Sequence, residues 1–139
     1  METTIHRAGV SWSGGEGEDA QAHDVLLGGQ TLPSSAALEL GGDDFKSNPE
    51  MLLVGALASC HMLWFLALAR KKGFEIASYE DDADGVLEGK RFSSATLRPR
   101  VRWAGEPPAP DAIEALHHRA HELCFIANSV EFPVSVEPS

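Results

Sequence analysis

Two cysteines carry the chemistry this chain is best equipped for. Cys60 and Cys124 are its only thiols. A thiolate is a nucleophile and a metal ligand, but an unperturbed thiol is only on the order of a few per cent ionised at neutral pH. A reactive cysteine therefore needs a cation or a hydrogen-bond donor close by. Free cysteine is also among the most buried residue types and often only packs. Spacing alone leaves Cys60 and Cys124 as inert thiols, as a redox pair or as unrelated residues. A histidine cluster adds a metal reading. His117 and His121 stand at i, i+4, and Cys124 follows three residues on. That is ligand spacing for zinc, with Cys60 available as a fourth donor. The competing reading is a wet helix face, because these histidines oppose the apolar stripe of Ile113, Leu116, Ala120 and Leu123. The expectation is that His117, His118 and His121 point to solvent or to carboxylates, with no bound transition metal. The acidic run from Gly14 to Asp19 has neither the spacing nor the sign of a phosphate-cradling loop and reads as a solvated turn.

These residues must be positioned by helices. Cys60 lies in the middle of SNPEMLLVGALASCHMLWFLALARKKG, Ser47 to Gly73, which reads as one long helix. Ser47 or Asn48 can cap it, and Pro49 is tolerated in a first turn. Glu50 favours the positive end of the dipole, while Arg70, Lys71 and Lys72 favour the negative end, and Gly73 supplies a stop. Cys60 is roughly 16 Å from the helix start, so the dipole of its own helix cannot activate it. From Met51 to Ala69 the helix is apolar on every face and must be covered all round or lie in lipid. It is long enough to span a bilayer. Gly55, Ser59, Cys60 and His61 interrupt its centre, and a histidine there is costly in lipid. The reading is a central helix in a soluble domain, without membrane contact. A second helix, Asp111 to Leu123, ends at Cys124. Both helices must pack on the same sheets, so the two thiols can meet.

The strands come from alternation and turn residues. Residues 1–13 suggest a first strand through Ile5, Val10 and Trp12. Ala22 to Leu27 and Gln30 to Ser34 flank a Gly28-Gly29 hairpin turn. Ala36 to Lys46 reads as a loop. Phe74 to Leu87 reads as one long strand, Glu88-Gly89-Lys90 as a turn, and Phe92 to Trp103 as another strand, where Pro99 implies an edge or a bulge. Val130, Phe132, Val134 and Val136 alternate in a last strand. The order βββ–α–ββ–α–β is too irregular for a doubly wound sheet, so the class is α+β, a single domain over 1–139 with antiparallel sheets around the helix.

Composition narrows the partners. The 139 residues are enough for one domain with a real core, and the net charge of −10 argues against nucleic acid or anionic membrane as a partner. Two cysteines make no disulfide scaffold, and without a secretory segment the expected compartment is the cytoplasm.

The helix SNPEMLLVGALASCHMLWFLALARKKGF and the stretch AHELCFIANSVEFPVSV together resemble the OsmC/Ohr family, named for osmotic induction and organic hydroperoxide resistance. SYEDDADGVLEGKRFSSATLRPRVRWAG is similar to that family's strand hairpin. The resemblance implies a thiol peroxidase that reduces organic hydroperoxides and works as an intertwined homodimer. By position, Cys60 would attack the peroxide, Cys124 would resolve the sulfenic acid into a disulfide, and Glu50 would be the active-site carboxylate. It implies an external dithiol reductant and no metal or bound cofactor. The chain departs from the Ohr branch where that branch has a thiolate-stabilising Arg in its N-terminal region. Here GGEGEDAQAHDVLL has none, and Gln21 or His23 is expected to fill the space. Phe125 also stands where Ohr proteins often have Pro, so the chain resembles a divergent OsmC-like branch. A rival expectation is a non-enzymatic dimer that keeps the fold and binds an apolar ligand at the subunit interface. About 15 Å of helix axis separates Glu50 from Cys60. If both serve one site, Glu50 comes from the other subunit.

Overall fold

The computed structural model describes residues 2–14 and 20–139. The acidic turn expected at 14–19 thus lies, from residue 15 on, outside the described residues. Two compact units divide the chain at Leu52/Leu53.

The first unit is a three-stranded antiparallel sheet and the connection to the long helix. Strands β1 (Ala8–Ser11), β2 (His23–Leu27) and β3 (Gln30–Ser34) lie in that order. Leu27 pairs with Gln30 across Gly28-Gly29, and Gly28 takes φ 60°, a conformation that costs glycine nothing. The expected loop 36–46 contains a short 3-10 turn at Leu38–Leu40. Gly42 passes so close to Ala36 that a Cβ there would collide with the Ala36 carbonyl oxygen. The end of this loop is tied back by a 2.6 Å hydrogen bond between the Ser34 and Ser47 hydroxyls. The helix α1 (Pro49–Lys71) then opens as its sequence dictates. Asn48 is the cap, its Oδ1 accepting the Met51 N–H at 2.8 Å, and Gly73 follows the last turn at φ 80°.

The second unit holds the rest of α1, five strands and α2. The long strand expected at 74–87 is two strands, β4 (Ile76–Asp81) and β5 (Asp84–Glu88). The one expected at 92–103 is likewise β6 (Arg91–Leu97) and β7 (Pro99–Trp103). Together they form one long ribbon folded across its middle, so that β4 pairs with β7 while β5 pairs with β6. The cause is local. Pro99 has no N–H to give a ladder. The Arg98 N–H donates to Asp81 Oδ1 at 2.7 Å, and its guanidinium donates to Asp84 Oδ2 at 2.6 Å and to the Asp82 carbonyl at 3.2 Å. Bulges at Ala77 and at Ser93 shift the register near each end of the ribbon. After α2 (Pro110–Leu123) the chain returns as β8 (Val134–Val136), which pairs parallel with β6. The expected antiparallel sheets are present, with this one parallel pair added at a sheet edge. A helical crossover intervenes between β7 and β8, and crossovers are what permit parallel pairing.

Two apolar clusters hold α1 to these elements. Phe65 and Ala69 pack with Leu116 and Ala120 of α2, against Tyr79, Val101 and Trp103. Leu57 packs with Ala95 and Leu97, against Val134 and Val136. The buried residues of α1 are Leu57, His61, Phe65 and Ala69, one stripe at four-residue spacing. The helix expected to be buried on every face is therefore covered on one, and Leu63 remains 60% exposed.

Candidate active site

The two thiols meet. Cys60 projects, half-buried, from the middle of α1, and Cys124 is 1% exposed at the C-cap of α2. The Cys60 thiol lies close enough to Cys124 to act on its ionisation. Cys124 stands where the chain leaves the helix, at φ −66° and ψ 112°. That exit turns the next backbone N–H groups back toward the sulfur, and Ala127 N–H donates to Cys124 Sγ at 3.4 Å. Burial pushes the Cys124 thiol above its usual range, and the Cys60 thiol beside it adds to that. The N–H groups of Ala127 and Ile126 pull the other way. Cys124 is thus held as a protonated thiol at neutral pH. Phe125, 67% exposed, packs edge-on to Trp64 with ring centroids 5.5 Å apart.

One of the three histidines is not where the apolar stripe put it. His118 lies on the wet face, 3.8 Å from Glu122. His117, expected to point to solvent or to a carboxylate, is instead 4% exposed inside the second unit. It meets His61, 1% exposed, across a 3.0 Å hydrogen bond between His117 Nδ1 and His61 Nε2. The ring planes are parallel within 2°, and Phe65 stacks on His117 at 4.2 Å. Burial lowers His61 from 6.5 to about 4, helped by the charges of His117 and His121, and burial alone lowers His117 to about 4. Both rings are neutral at physiological pH. His61 Nδ1 and His117 Nε2 have no hydrogen-bond partner among the described residues. The zinc set of His117, His121, Cys124 and Cys60 is not assembled, because His117 turns its Nδ1 to His61 and Cys124 turns its sulfur to Cys60. No group of three or more such ligands is arranged for a metal among the described residues. The His61–His117 pair escaped the sequence reading, although His61 stands four residues from both Leu57 and Phe65. His117 stands four from Ile113 and beside Leu116.

The third expected site residue, Glu50, belongs to the first unit. It lines a cavity of about 230 Å³ there, together with Gln21, His23, Ser35 and Leu40. Both candidates for the missing Arg therefore share a cavity with Glu50. One Glu50 oxygen, Oε2, is buried without a partner among the described residues. The His23 ring is oriented by its own Nδ1–H, which donates to the Gln21 carbonyl at 2.8 Å. In the second unit a larger groove, about 620 Å³, runs between α2 and β8 past Ile113, His117, His121, Val134 and Val136.

Comparison with known proteins gives a consistent answer. Residues 41–139 match the sequence pattern of the family described as OsmC-like protein. An OsmC-like protein of unknown function from Vibrio cholerae superposes with a TM-score of 0.91 at 34% identity, over 99% of this chain and 100% of that one. An organic hydroperoxide resistance protein from Elizabethkingia anophelis superposes at 0.73 with 18% identity, over 99% of each chain. The organic hydroperoxide resistance protein OhrB of Bacillus subtilis superposes at 0.66 with 19% identity, over 98% of this chain and 100% of that one. At those lower identities the likeness is one of fold. No match is found among curated proteins. With a half-buried and a buried cysteine brought together from α1 and the end of α2, and a family pattern over most of its length, this chain belongs to the OsmC-like protein family.

Proposed function

We propose that this chain is a cysteine-based thiol peroxidase acting on organic hydroperoxides, with Cys60 as the attacking thiol and Cys124 as the resolving one. The observation that carries the reading is that a half-buried cysteine lies close enough to a fully buried one to act on its ionisation. The more accessible sulfur is the one a peroxide can approach. The Cys60 thiolate attacks the terminal peroxide oxygen and the O–O bond breaks. The alkoxide takes up a proton and leaves as the alcohol, and Cys60 becomes a sulfenic acid. The Cys124 sulfur then attacks the Cys60 sulfur. The sulfenic hydroxyl leaves as water with the Cys124 proton, and a disulfide remains. Two thiols of an external dithiol, supplied in a reducing cytoplasm, restore the pair by exchange. A thiol kept protonated until the sulfenic acid forms does not compete with Cys60 for peroxide.

The working form in this proposal is a homodimer, its site completed by the partner subunit's Glu50. An α1 covered along one stripe, with Leu63 left open, supports an apolar contact with a second copy. The cavity that gathers Glu50, Gln21 and His23 supports a role for these groups around the reacting oxygen. Neither Gln21 nor His23 carries a permanent charge. That favours the rival reading of a ligand-binding dimer without turnover. One experiment separates the two. Reduced protein is treated with one equivalent of cumene hydroperoxide and mapped by mass spectrometry under non-reducing conditions. The proposal expects a Cys60–Cys124 disulfide and one equivalent of cumyl alcohol. Untouched thiols would leave the ligand-binding reading.

A further inference from the structure

The imidazole pair lies beside the thiols in a way the peroxidase reading does not use. Cys60 and His61 are consecutive on α1. On α2, His117 and Cys124 are seven residues apart, two helical turns and roughly 10 Å along the axis. The same two helices thus bring two pairs together: His61 and His117 through a hydrogen bond, and Cys60 and Cys124 by proximity. Apolar packing of Phe65, Ala69, Leu116 and Ala120 supplies attraction between α1 and α2, but it is non-directional and tolerates sliding. A 3.0 Å hydrogen bond between parallel rings is directional and fixes both the axial register and the rotation of one helix on the other. The ring on the α2 side is itself held by stacking on Phe65.

We infer that the His61–His117 hydrogen bond is a positioning device for the cysteine pair, setting the helix register in which the two sulfurs reach each other. This rests on the thiol-pair reading above and adds two positioning residues to it. The bond is between uncharged rings across the physiological range, so register and thiol contact do not depend on pH there. The disulfide is favoured to the extent that the fold holds the sulfurs together, so loosening the register lowers its equilibrium constant. Losing one directional bond is worth up to about tenfold in an equilibrium.

The test is the equilibrium of the Cys60–Cys124 disulfide with dithiothreitol redox buffers in the full chain, read by mass spectrometry after acid quench. It needs no peroxide. Three variants are compared with the parent. His61→Met removes one partner, and His61→Gln can restore a donor and an acceptor near the position of Nε2. The double variant His61→Met/His117→Leu removes both partners, which leaves stability nearly unchanged when the replacement is apolar and of similar size. The expected result is a fall of about tenfold in the double variant, equivalent to about 30 mV for this two-electron couple. The melting temperature of its reduced form should stay near the parent's, and His61→Gln should remain within about threefold. A folded double variant that keeps the parent's equilibrium overturns the inference, and so does a His61→Gln that falls as far as His61→Met. A double variant that does not fold overturns it too, since the pair is then simply structural. If the parent forms no disulfide in oxidised buffer, this inference and the two-cysteine mechanism fall together. If it forms one in buffer but not with cumene hydroperoxide, only the peroxidase reading falls.

Discussion

Acid should destabilise this fold through two side chains. His61 and His117 are lowered from 6.5 to about 4 by burial. Unfolding releases both to water, where they bind protons at the ordinary value. Below about pH 6.5 the unfolded chain therefore holds protons that the folded chain refuses, and stability falls as pH falls. Above pH 6.5 neither state is protonated and the contribution is complete. At pH 5 each unfolded imidazole is nearly fully charged and each folded one nearly neutral, which is about 2 kcal/mol apiece. The pair then accounts for a loss of about 4 kcal/mol between pH 7.5 and pH 5, a large share of the roughly 5–15 kcal/mol that holds a domain together. Asp81 acts in the opposite sense. Burial raises its carboxyl, so the folded state gains on it as pH falls. The assay is urea unfolding from pH 7.5 to pH 5 at fixed protein concentration, so that any self-association weighs equally at each pH. The slope at pH 5 should correspond to about two protons taken up on unfolding. The double variant His61→Met/His117→Leu should flatten the profile. A parent whose stability changes by less than about 1 kcal/mol over this range, or a double variant with the parent's slope, would refute the reasoning.

Cys60→Ser should abolish reduction of cumene hydroperoxide, while Cys124→Ser should accumulate a dimedone-reactive sulfenic acid; a Cys60→Ser protein as active as the parent would sink the mechanism. Sedimentation equilibrium at micromolar concentration should give a dimer whose interface buries more than roughly 2,000 Å², and a monomer there would remove both the dimer and the composite site. Leu57→Ala, in the fully buried cluster with Ala95 and Leu97, should cost about 2–5 kcal/mol in urea melts; a cost under about 1 kcal/mol would mean that site is not the core position described.

What the sequence could disclose was set by where its signals are local. Asn48, Pro49 and Gly73 bound α1 because capping and stopping depend on a few neighbouring residues, and Gly28-Gly29 marks its hairpin for the same reason. The fold of the ribbon was not legible. Alternation runs through Asp82 and Ala83 without a break, and the bend is made by Arg98, which reaches Asp81 and Asp84 from the other strand. The covered face of α1 was hidden too. A helix apolar on all sides has no contrast to read, and its partners choose the stripe. The cysteine pair could be expected to meet on the strength of two separated motifs. The histidine pair could not, because His117 stands opposite the apolar stripe of its own helix and only the hydrogen bond to His61 makes its burial affordable.

The folded ribbon has a consequence for how this protein can change length over evolution. Its two halves lie in different ladders and meet at Arg98. In an ordinary two-stranded ribbon one extra residue turns every later side chain to the opposite face. Here the outer half already accommodates such an excess, since Ser93 stands unpaired between Val86↔Ser94 and Leu87↔Phe92. Insertions around the Gly89 tip are therefore confined to β5 and β6 beyond the bulge. They leave β4 and β7 in register against the cluster of Phe65 and Tyr79, and the thiols keep their support. Between Asp81 and Asp84 there is no such slack. One residue more would pull both carboxylates off Arg98 and turn β5 over, moving Gly85 from its close approach to Val54 of α1. Homologues should differ freely in length at the tip and hardly at all at the bend.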